Sequence, residues 1–170
     1  MPNETRSAGL TSQLILFARN FFKHPAMLGS IIPSSPFLVN DVLSQVDWDR
    51  AQVVVEYGPG VGTITQQILK RLRPDGMLIA IELNPQFVSF LHEKIRDPRL
   101  HIVQGSAASA LQALASLNLD RADYIISGIP YSLIPDPTRQ EIMCELSTAM
   151  TDQKYLAYLD GRSSFGKVKL

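Results

Sequence analysis

The most informative segment of this 170-residue chain reads Val53-Val54-Val55-Glu56-Tyr57-Gly58-Pro59-Gly60-Val61-Gly62. It begins with a β-branched run, which is typical of a strand buried on both faces of a parallel sheet. It ends in three alternating glycines, and apolar residues at helical spacing follow in residues 63–72. Because a glycine-rich turn from a strand into a helix brings backbone N–H groups close to a ligand, the segment predicts a binding loop at the end of a buried strand.

Strand-like and helix-like patterns alternate along the rest of the chain. The strands are predicted at residues 52–56, 77–81, 100–103, 124–127 and 154–158. Between them lie predicted helices at residues 63–72, 84–95, 109–117 and 138–150. This alternation is typical of an α/β fold with a doubly wound parallel sheet, in which right-handed crossovers place helices on both faces. We therefore expect a Rossmann-like sheet.

The N-terminal part of the chain precedes this alternation. It is predicted to form a helix over residues 11–23 and a second helix over residues 36–45. The first helix has an apolar face and a modestly basic face, so residues 10–24 suit either a lid packed over the sheet or an anchor on an anionic membrane surface. We expect a single domain overall, with residues 1–45 as a helix and lid segment and residues 46–170 as the main body.

Composition argues against several classes of protein. Lys plus Arg and Asp plus Glu number 16 each, so the formal net charge is zero, whereas a dedicated nucleic-acid binder usually has a basic excess. No apolar run approaches the roughly 20 residues that a membrane-spanning helix needs, and we expect no metal. The single cysteine, Cys144, falls in a predicted helix, and we expect it to be a small buried apolar residue.

The spacing of the glycines distinguishes between two kinds of cofactor. A dinucleotide-binding loop has the spacing G-x-G-x-x-G, but here Gly62 comes one residue early and Glu56 stands two positions before the first glycine. Residues 53–62 resemble motif I of class I methyltransferases. The resemblance implies S-adenosylmethionine as the cofactor. Its charged parts are an amino-acid end and a sulfonium, so an acidic residue beside the loop makes electrostatic sense. NAD and FAD are disfavoured by the same spacing, although their sites also use an acidic residue at a strand end.

Two further strand ends carry residues in the order that these methyltransferases show. Glu82 ends the second predicted strand, where a carboxylate accepts hydrogen bonds from ribose hydroxyls. The third strand ends in Gly105-Ser106-Ala107, where the family usually has Gly-Asp-Ala facing the adenine, so Ser106 departs from the pattern. The cofactor site that the resemblance implies comprises Glu56, Tyr57, Gly58, Gly60, Gly62, Glu82, Leu83, Gly105, Ser106, Ala107 and Ser127.

The fourth predicted strand leads into a second motif, Ser127-Gly128-Ile129-Pro130-Tyr131-Ser132. It resembles motif IV of amine methyltransferases, including adenine-N6 enzymes with Asn-x-Pro-Tyr, in which a side chain and a carbonyl receive the target N–H. The resemblance implies that Ser127 and Tyr131 are catalytic and that Pro130 and Tyr131 contact the substrate. The Tyr131 ring would shield the methyl group during transfer. The alternative is a proline turn in which Tyr131 only packs.

The segment before the second helix narrows the choice of acceptor. It reads Phe22-Lys23-His24-Pro25-Ala26-Met27-Leu28-Gly29-Ser30-Ile31-Ile32-Pro33-Ser34-Ser35. Together with residues 127–130 it resembles the soluble, dimethylase-like phospholipid N-methyltransferases of bacteria, although Gly29-Ser30 replaces their Gly-Ala. The resemblance implies that Ser34 and Ser35 bind substrate and that the acceptor is the amine of phosphatidylethanolamine. It also implies a cytoplasmic protein that is peripheral on the inner face of the cytoplasmic membrane, without a nucleic-acid partner.

Two questions stay open at this point: which group deprotonates the acceptor amine, and what structure the C-terminal residues form. Tyr131, Ser127 or a water beside Glu56 could accept the proton. A complete fold of this class ends in a hairpin, but residues 160–170 are polar and basic, and we expect a tail and a strand order of 3-2-1-4-5. The fifth strand would then be an exposed edge through which an oligomer could form. A truncated, non-catalytic S-adenosylmethionine-binding protein and a relative of RNA adenine N6-dimethylases are the competing interpretations.

Overall fold

The computed structural model describes residues 36–129, 134, 136–149, 155–160 and 164–169, and it describes side chains for residues 39–129, 134 and 136–149. The helix predicted over residues 11–23 and the Pro33-Ser34-Ser35 element lie outside the described residues. So do Pro130 and Tyr131.

Helices and strands alternate as the sequence pattern predicts. In chain order they are α1 (Pro36–Leu43), β1 (Val53–Tyr57), α2 (Thr63–Arg71), β2 (Met77–Glu82), α3 (Pro85–Lys94), β3 (Leu100–Gln104), a 3-10 turn (Ala107–Ser109), α4 (Ala110–Ser116), β4 (Tyr124–Ser127), α5 (Asp136–Ala149), β5 (Tyr155–Asp160) and β6 (Ser164–Lys169). The predicted start of α3 is confirmed, because the Asn84 side chain accepts a hydrogen bond from the Gln86 N–H at 2.9 Å and Pro85 occupies the first turn.

The strands form one sheet in the order β3-β2-β1-β4-β5-β6. The first five strands pair in parallel with one another, which confirms the doubly wound α/β fold and the order 3-2-1-4-5. The expected C-terminal tail is wrong, because β6 pairs antiparallel with β5, Tyr155 opposite Lys169 and Asp160 opposite Ser164. The sequence pattern did not predict this strand. Backbone hydrogen bonds hold an edge strand to its neighbour, so its side chains can include lysines and need not show an apolar pattern. β5 is therefore covered by β6 and is not an exposed edge.

Side chains of β1 alternate between two cores. Val55 and Tyr57 pack in the core that includes α4 and α5, while Val54 packs in the core that includes α1 and α2. Helix α1 contributes Val39, Val42 and Leu43 to the second core, so it covers the same face of the sheet as α2. Because both faces of such a sheet are covered, ligands bind at the carboxyl ends of its strands. The domain boundary at residue 45 remains a prediction.

The expected burial of Cys144 is wrong. Its side chain is exposed on α5. The buried positions of this helix are Thr138, Ile142, Leu146 and Ala149, which follow a helical period and form one stripe. Cys144 lies two positions after Ile142, so it falls on the opposite side of the helix from that stripe.

Candidate cofactor site

The glycine loop between β1 and α2 has a backbone that only glycine adopts easily. Gly58, Gly60 and Gly62 all have positive φ angles, of 66°, 56° and 81°. A side chain at Gly58 would also collide with Ile129, whose Cγ1 lies 2.9 Å from the position of a Cβ. At Gly60 no atom of the described residues lies within 4 Å of the same position, so this side of the loop is open within the described part of the chain. The loop is therefore shaped by its backbone and leaves room for a ligand beside Gly60.

Backbone hydrogen bonds continue the sheet beyond its strands and bring the predicted site residues together. The Gly58 N–H donates to the Ile81 carbonyl at 3.0 Å, and the Gly128 N–H donates to the Tyr57 carbonyl at 2.8 Å. The Gly105 N–H donates to the Glu82 carbonyl at 3.0 Å. The loops after β1, β2, β3 and β4 are therefore neighbours at the carboxyl ends of the strands. The Tyr57 side chain itself is fully buried in the core, so this residue borders the site through its backbone.

Glu82, at the end of β2, is held by backbone donors from two loops. Its Oε2 accepts from the Gly60 N–H at 3.0 Å, and its Oε1 accepts from the Asn84 N–H at 2.9 Å. The residue is only 3% exposed, and burial raises its pKa while the bonds from Asn84 and Gly60 oppose that rise. Each carboxylate oxygen has a second acceptor position. Glu82 is thus a pre-positioned acceptor for ligand hydroxyl groups.

Glu56 is a second carboxyl in the site, and it is completely buried. Its Oε2 accepts a hydrogen bond from the Thr65 hydroxyl at 2.7 Å, while its Oε1 has no hydrogen-bond partner among the residues that the structure describes. Burial raises the pKa of Glu56 to about 8, the Thr65 hydroxyl lowers it, and the negative charge of Glu82 raises it further. Because Glu56 precedes the glycine loop and Thr65 follows it, their hydrogen bond ties the two ends of the loop together.

The end of β3 is organised by two serines. The Ser106 Oγ accepts from the Ala108 N–H at 3.1 Å and caps the 3-10 turn that begins at Ala107. The Ser109 hydroxyl donates to the Ser106 carbonyl at 2.6 Å, and its Oγ lies 2.7 Å from where a side chain at Gly105 would begin. A side chain at Gly105 would therefore collide with this serine.

The end of β4 lies directly against the glycine loop. Ser127 is fully buried, and its Oγ accepts from the Ile129 N–H at 3.2 Å. A Cβ at Gly128 would lie 3.0 Å from the Gly58 carbonyl oxygen and 3.5 Å from that of Tyr57. The absence of a side chain at Gly128 therefore allows the two loops to approach each other closely.

Three residues of this arrangement were not predicted from the sequence. Thr65 holds Glu56, Ile129 covers Gly58, and the backbone N–H of Asn84 holds Glu82. A signal for Thr65 was present, because it is a polar residue next to Ile64 and near Ile68 on the buried side of α2. The other two contacts depend on how loops from different strands meet, which sequence spacing does not encode.

Solved methyltransferase structures have the same fold. An S-adenosylmethionine-dependent methyltransferase from Aquifex aeolicus matches with a TM-score of 0.55 over 72% of this chain and 63% of that chain, at 16% identity. The plantazolicin methyltransferase BamL, solved with a triazolic desmethylPZN analog and SAH, matches with a TM-score of 0.55 over 87% of this chain and 52% of its own, at 18% identity. The fold is thus that of S-adenosylmethionine-dependent methyltransferases.

Sequence comparison defines the family. Residues 22–133 match the ribosomal RNA adenine dimethylase family. The ornithine lipid N-methyltransferase of Singulisphaera acidiphila is 34% identical over 128 residues, which are 75% of this chain and 67% of that protein. The ribosomal RNA small subunit methyltransferase A of Mycoplasma capricolum is 30% identical over 98 residues, which are 55% of this chain and 35% of that protein. The chain belongs to the ribosomal RNA adenine dimethylase family, whose cofactor is S-adenosylmethionine.

The described residues fit this cofactor. Glu82 is a buried, fixed carboxyl that can accept hydrogen bonds from hydroxyl groups such as those of a ribose, and it is bonded to Gly60, which has an open side. Glu56 carries a buried oxygen without a partner, which suits a ligand that brings a cationic hydrogen-bond donor. The fit is therefore one of both shape and charge.

Proposed function

We propose that this protein transfers a methyl group from S-adenosylmethionine to the amine of a membrane lipid, and that the head group of phosphatidylethanolamine is the acceptor. The observation that carries the proposal is the similarity to an ornithine lipid N-methyltransferase over 75% of the chain. Ornithine lipids and phosphatidylethanolamine both present a primary amine on a lipid. The motif Ser127-Gly128-Ile129-Pro130 supports the same class of acceptor, because it resembles the Ser-Gly-Leu-Pro of bacterial phospholipid N-methyltransferases.

The proposed cofactor site comprises the residues at the ends of the first four strands. Gly58, Gly60 and Gly62 supply the backbone that surrounds the cofactor, and Glu82 accepts hydrogen bonds from its ribose. The proposed remaining contacts are with Glu56, Tyr57, Leu83, Gly105, Ser106, Ala107 and Ser127. S-adenosylmethionine supplies an electrophilic methyl group on a sulfonium.

Catalysis by this chain would depend mainly on positioning. Methyl transfer is an in-line displacement, so the acceptor nitrogen must be held close to the methyl group and must be unprotonated. Gly128 lets the end of β4 lie against the glycine loop, which favours a short distance between acceptor and cofactor. We propose that Ser127 and Tyr131 orient the amine, with Pro130, Ser34 and Ser35 also contacting the substrate.

A lipid acceptor requires access to a membrane surface. We propose that residues 10–24 supply it as a basic amphipathic helix on the inner face of the cytoplasmic membrane. Among the described residues, no helix is long and apolar enough to cross a bilayer. Binding through so few basic residues should weaken as salt concentration rises.

An RNA acceptor is the second candidate, and family membership favours it. The matching family is named for adenine dimethylation of ribosomal RNA, and a ribosomal RNA methyltransferase is 30% identical over 98 residues. Two observations argue for the lipid instead. Ser127 stands where adenine-N6 enzymes have an asparagine, and the net charge of the chain is zero.

The test is transfer of a radiolabelled methyl group to phosphatidylethanolamine liposomes, with ornithine-lipid liposomes and small-subunit ribosomal RNA as parallel acceptors. Label in phosphatidylethanolamine supports the proposal. Label in the ornithine lipid alone would show that phosphatidylethanolamine is not the acceptor, while methyl transfer to a lipid amine would still stand. Label in RNA alone would overturn the lipid proposal. Glu82→Ala serves as the variant without cofactor binding, and Glu93→Gln, an exposed carboxyl on α3, serves as its matched control.

A further inference from the structure

Glu56 has an unusual environment for a carboxyl group that precedes a binding loop. The residue is completely buried, and within the described ranges only one of its two oxygens has a partner, the Thr65 hydroxyl at 2.7 Å. A buried carboxylate in which one oxygen accepts no hydrogen bond is strongly disfavoured relative to the neutral acid. The arrangement therefore favours a protonated Glu56 as long as no donor or cation reaches that oxygen.

The described groups around Glu56 do not supply a positive charge. Helix α2 contributes the Thr65 hydroxyl, β2 contributes the carboxyl of Glu82, and β4 places the apolar residue Ile126 opposite Glu56. Within the part of the chain that the structure describes, no lysine, arginine or histidine forms an ion pair with Glu56. Glu82 adds negative charge, so it opposes ionisation of Glu56. None of the described residues supplies a cation here, whereas a ligand with an ammonium group would bring one.

We propose that Glu56 is protonated in the free protein and releases its proton when the ammonium group of the cofactor's amino-acid end binds beside it. The inference rests on the proposed function, because it requires S-adenosylmethionine or its product in the site. The O–H bond of Glu56 breaks, the proton leaves to solvent, and the carboxylate remains paired with the ammonium. Cofactor binding and proton release become one event.

This linkage predicts how affinity depends on pH. Because the pKa of Glu56 in the free protein is raised to about 8, the protein must lose a proton to bind at neutral pH. Affinity should then rise about tenfold per pH unit between about pH 6 and about pH 7.5, and it should level off above about pH 8. A site without this coupling would show a flat profile over the same range.

The experiment is isothermal titration calorimetry with S-adenosylhomocysteine in buffers of different ionisation enthalpy. This probe carries the same amino-acid end and undergoes no reaction. Glu56→Gln keeps an acceptor for Thr65 and cannot ionise, so any proton that the ligand itself gains or loses cancels in the comparison. We expect the wild type to release roughly one proton more than Glu56→Gln at about pH 7. We also expect the affinity of the variant to be independent of pH.

A second variant keeps the test informative if Glu56→Gln does not fold. Thr65→Val removes the donor that stabilises the carboxylate, so the rise in affinity should move to higher pH. Binding with equal proton release in the wild type and in Glu56→Gln would overturn the inference and leave the proposed function standing. An unchanged pH profile in Thr65→Val would overturn it as well. Failure of the wild type to bind S-adenosylhomocysteine at all would instead overturn the proposed function.

Discussion

Glu82 and Gly60 are joined by a hydrogen bond of 3.0 Å from the backbone N–H of the glycine to the carboxylate of the glutamate. The bond connects the end of β2 to the middle of the glycine loop, across 22 residues of sequence. The same carboxylate is the proposed ribose acceptor. The residue that we propose recognises the ribose therefore also holds the glycine loop, so one substitution should affect both ligand binding and the loop.

Replacement of Glu82 should abolish cofactor binding. Glu82→Ala removes the ribose acceptor and the tether to Gly60. In Glu82→Gln, the amide NH₂ can face only one of the two backbone donors, and it cannot accept a bond from it. We expect no measurable binding for the first variant and at least about a tenfold loss for the second, since one charge-assisted bond contributes more than about 1.5 kcal/mol. Calorimetry with S-adenosylhomocysteine measures both, and unchanged affinity in Glu82→Ala would refute the ribose assignment.

Gly128→Ala should weaken both the fold and the site. A methyl group at this position would lie 3.0 Å from the Gly58 carbonyl oxygen, which is a backbone atom and cannot move aside cheaply. We expect a loss of about 1–3 kcal/mol in the free energy of unfolding, together with weaker cofactor binding. Urea denaturation and calorimetry measure the two effects.

Gly76→Ala is the control for that substitution. Its methyl group would meet the Leu72 side chain at the amino edge of the sheet, away from the glycine loop. It should affect stability without affecting cofactor affinity. Equal losses of affinity in Gly128→Ala and Gly76→Ala would contradict a specific role for Gly128.

The stability of the protein without cofactor should fall as pH rises, because of Glu56. Its pKa in the folded protein is raised from 4.5 to about 8, so the folded state binds more protons than the unfolded state between these values. The stabilisation is fully present below about pH 4.5 and is lost as pH rises through about 8. The contribution of this one group amounts to at most about 5 kcal/mol over that interval.

Comparison of the wild type with Glu56→Gln isolates this effect from other titrating groups. Denaturation at a series of pH values should show that the wild type loses stability relative to the variant between about pH 5 and about pH 8. A constant difference between the two proteins across that range would mean that Glu56 ionises normally in the folded state.

Arg99 should matter for stability and not for the cofactor. Its guanidinium donates to the carbonyls of Leu72 and Leu69, at 2.7 Å and 2.8 Å, at the end of α2, and it pairs with Asp97. Arg99→Ala leaves these carbonyls without that donor, and we expect a loss of about 1–3 kcal/mol in the free energy of unfolding. Arg99→Lys should lose less. Affinity for S-adenosylhomocysteine should not change in either variant, and a large change would show that this edge of the sheet communicates with the site.

Much of the fold could be predicted because its patterns are local. The β-branched run at residues 53–55, the glycine spacing and the Asn84-Pro85 helix start each depend on neighbouring residues, so the strands, the loop and the helices followed from them. The strand order and the class of cofactor came from the resemblance of residues 53–62 to motif I of class I methyltransferases. The strand Ser164–Lys169 and the exposure of Cys144 did not follow. The first is stabilised by pairing with β5, and the second depends on which stripe of α5 faces the core.

The sequence by itself determined that this chain forms a doubly wound sheet with a methyltransferase loop after its first strand, because strand, turn and helix preferences act over a few residues. Only the tertiary structure decided how the loop is held. Gly60 meets Glu82, Gly128 meets Gly58, and Thr65 meets Glu56 because strands distant in sequence lie side by side. The raised pKa of Glu56 was decided there too, since it depends on how completely the surrounding chain removes that carboxyl from water.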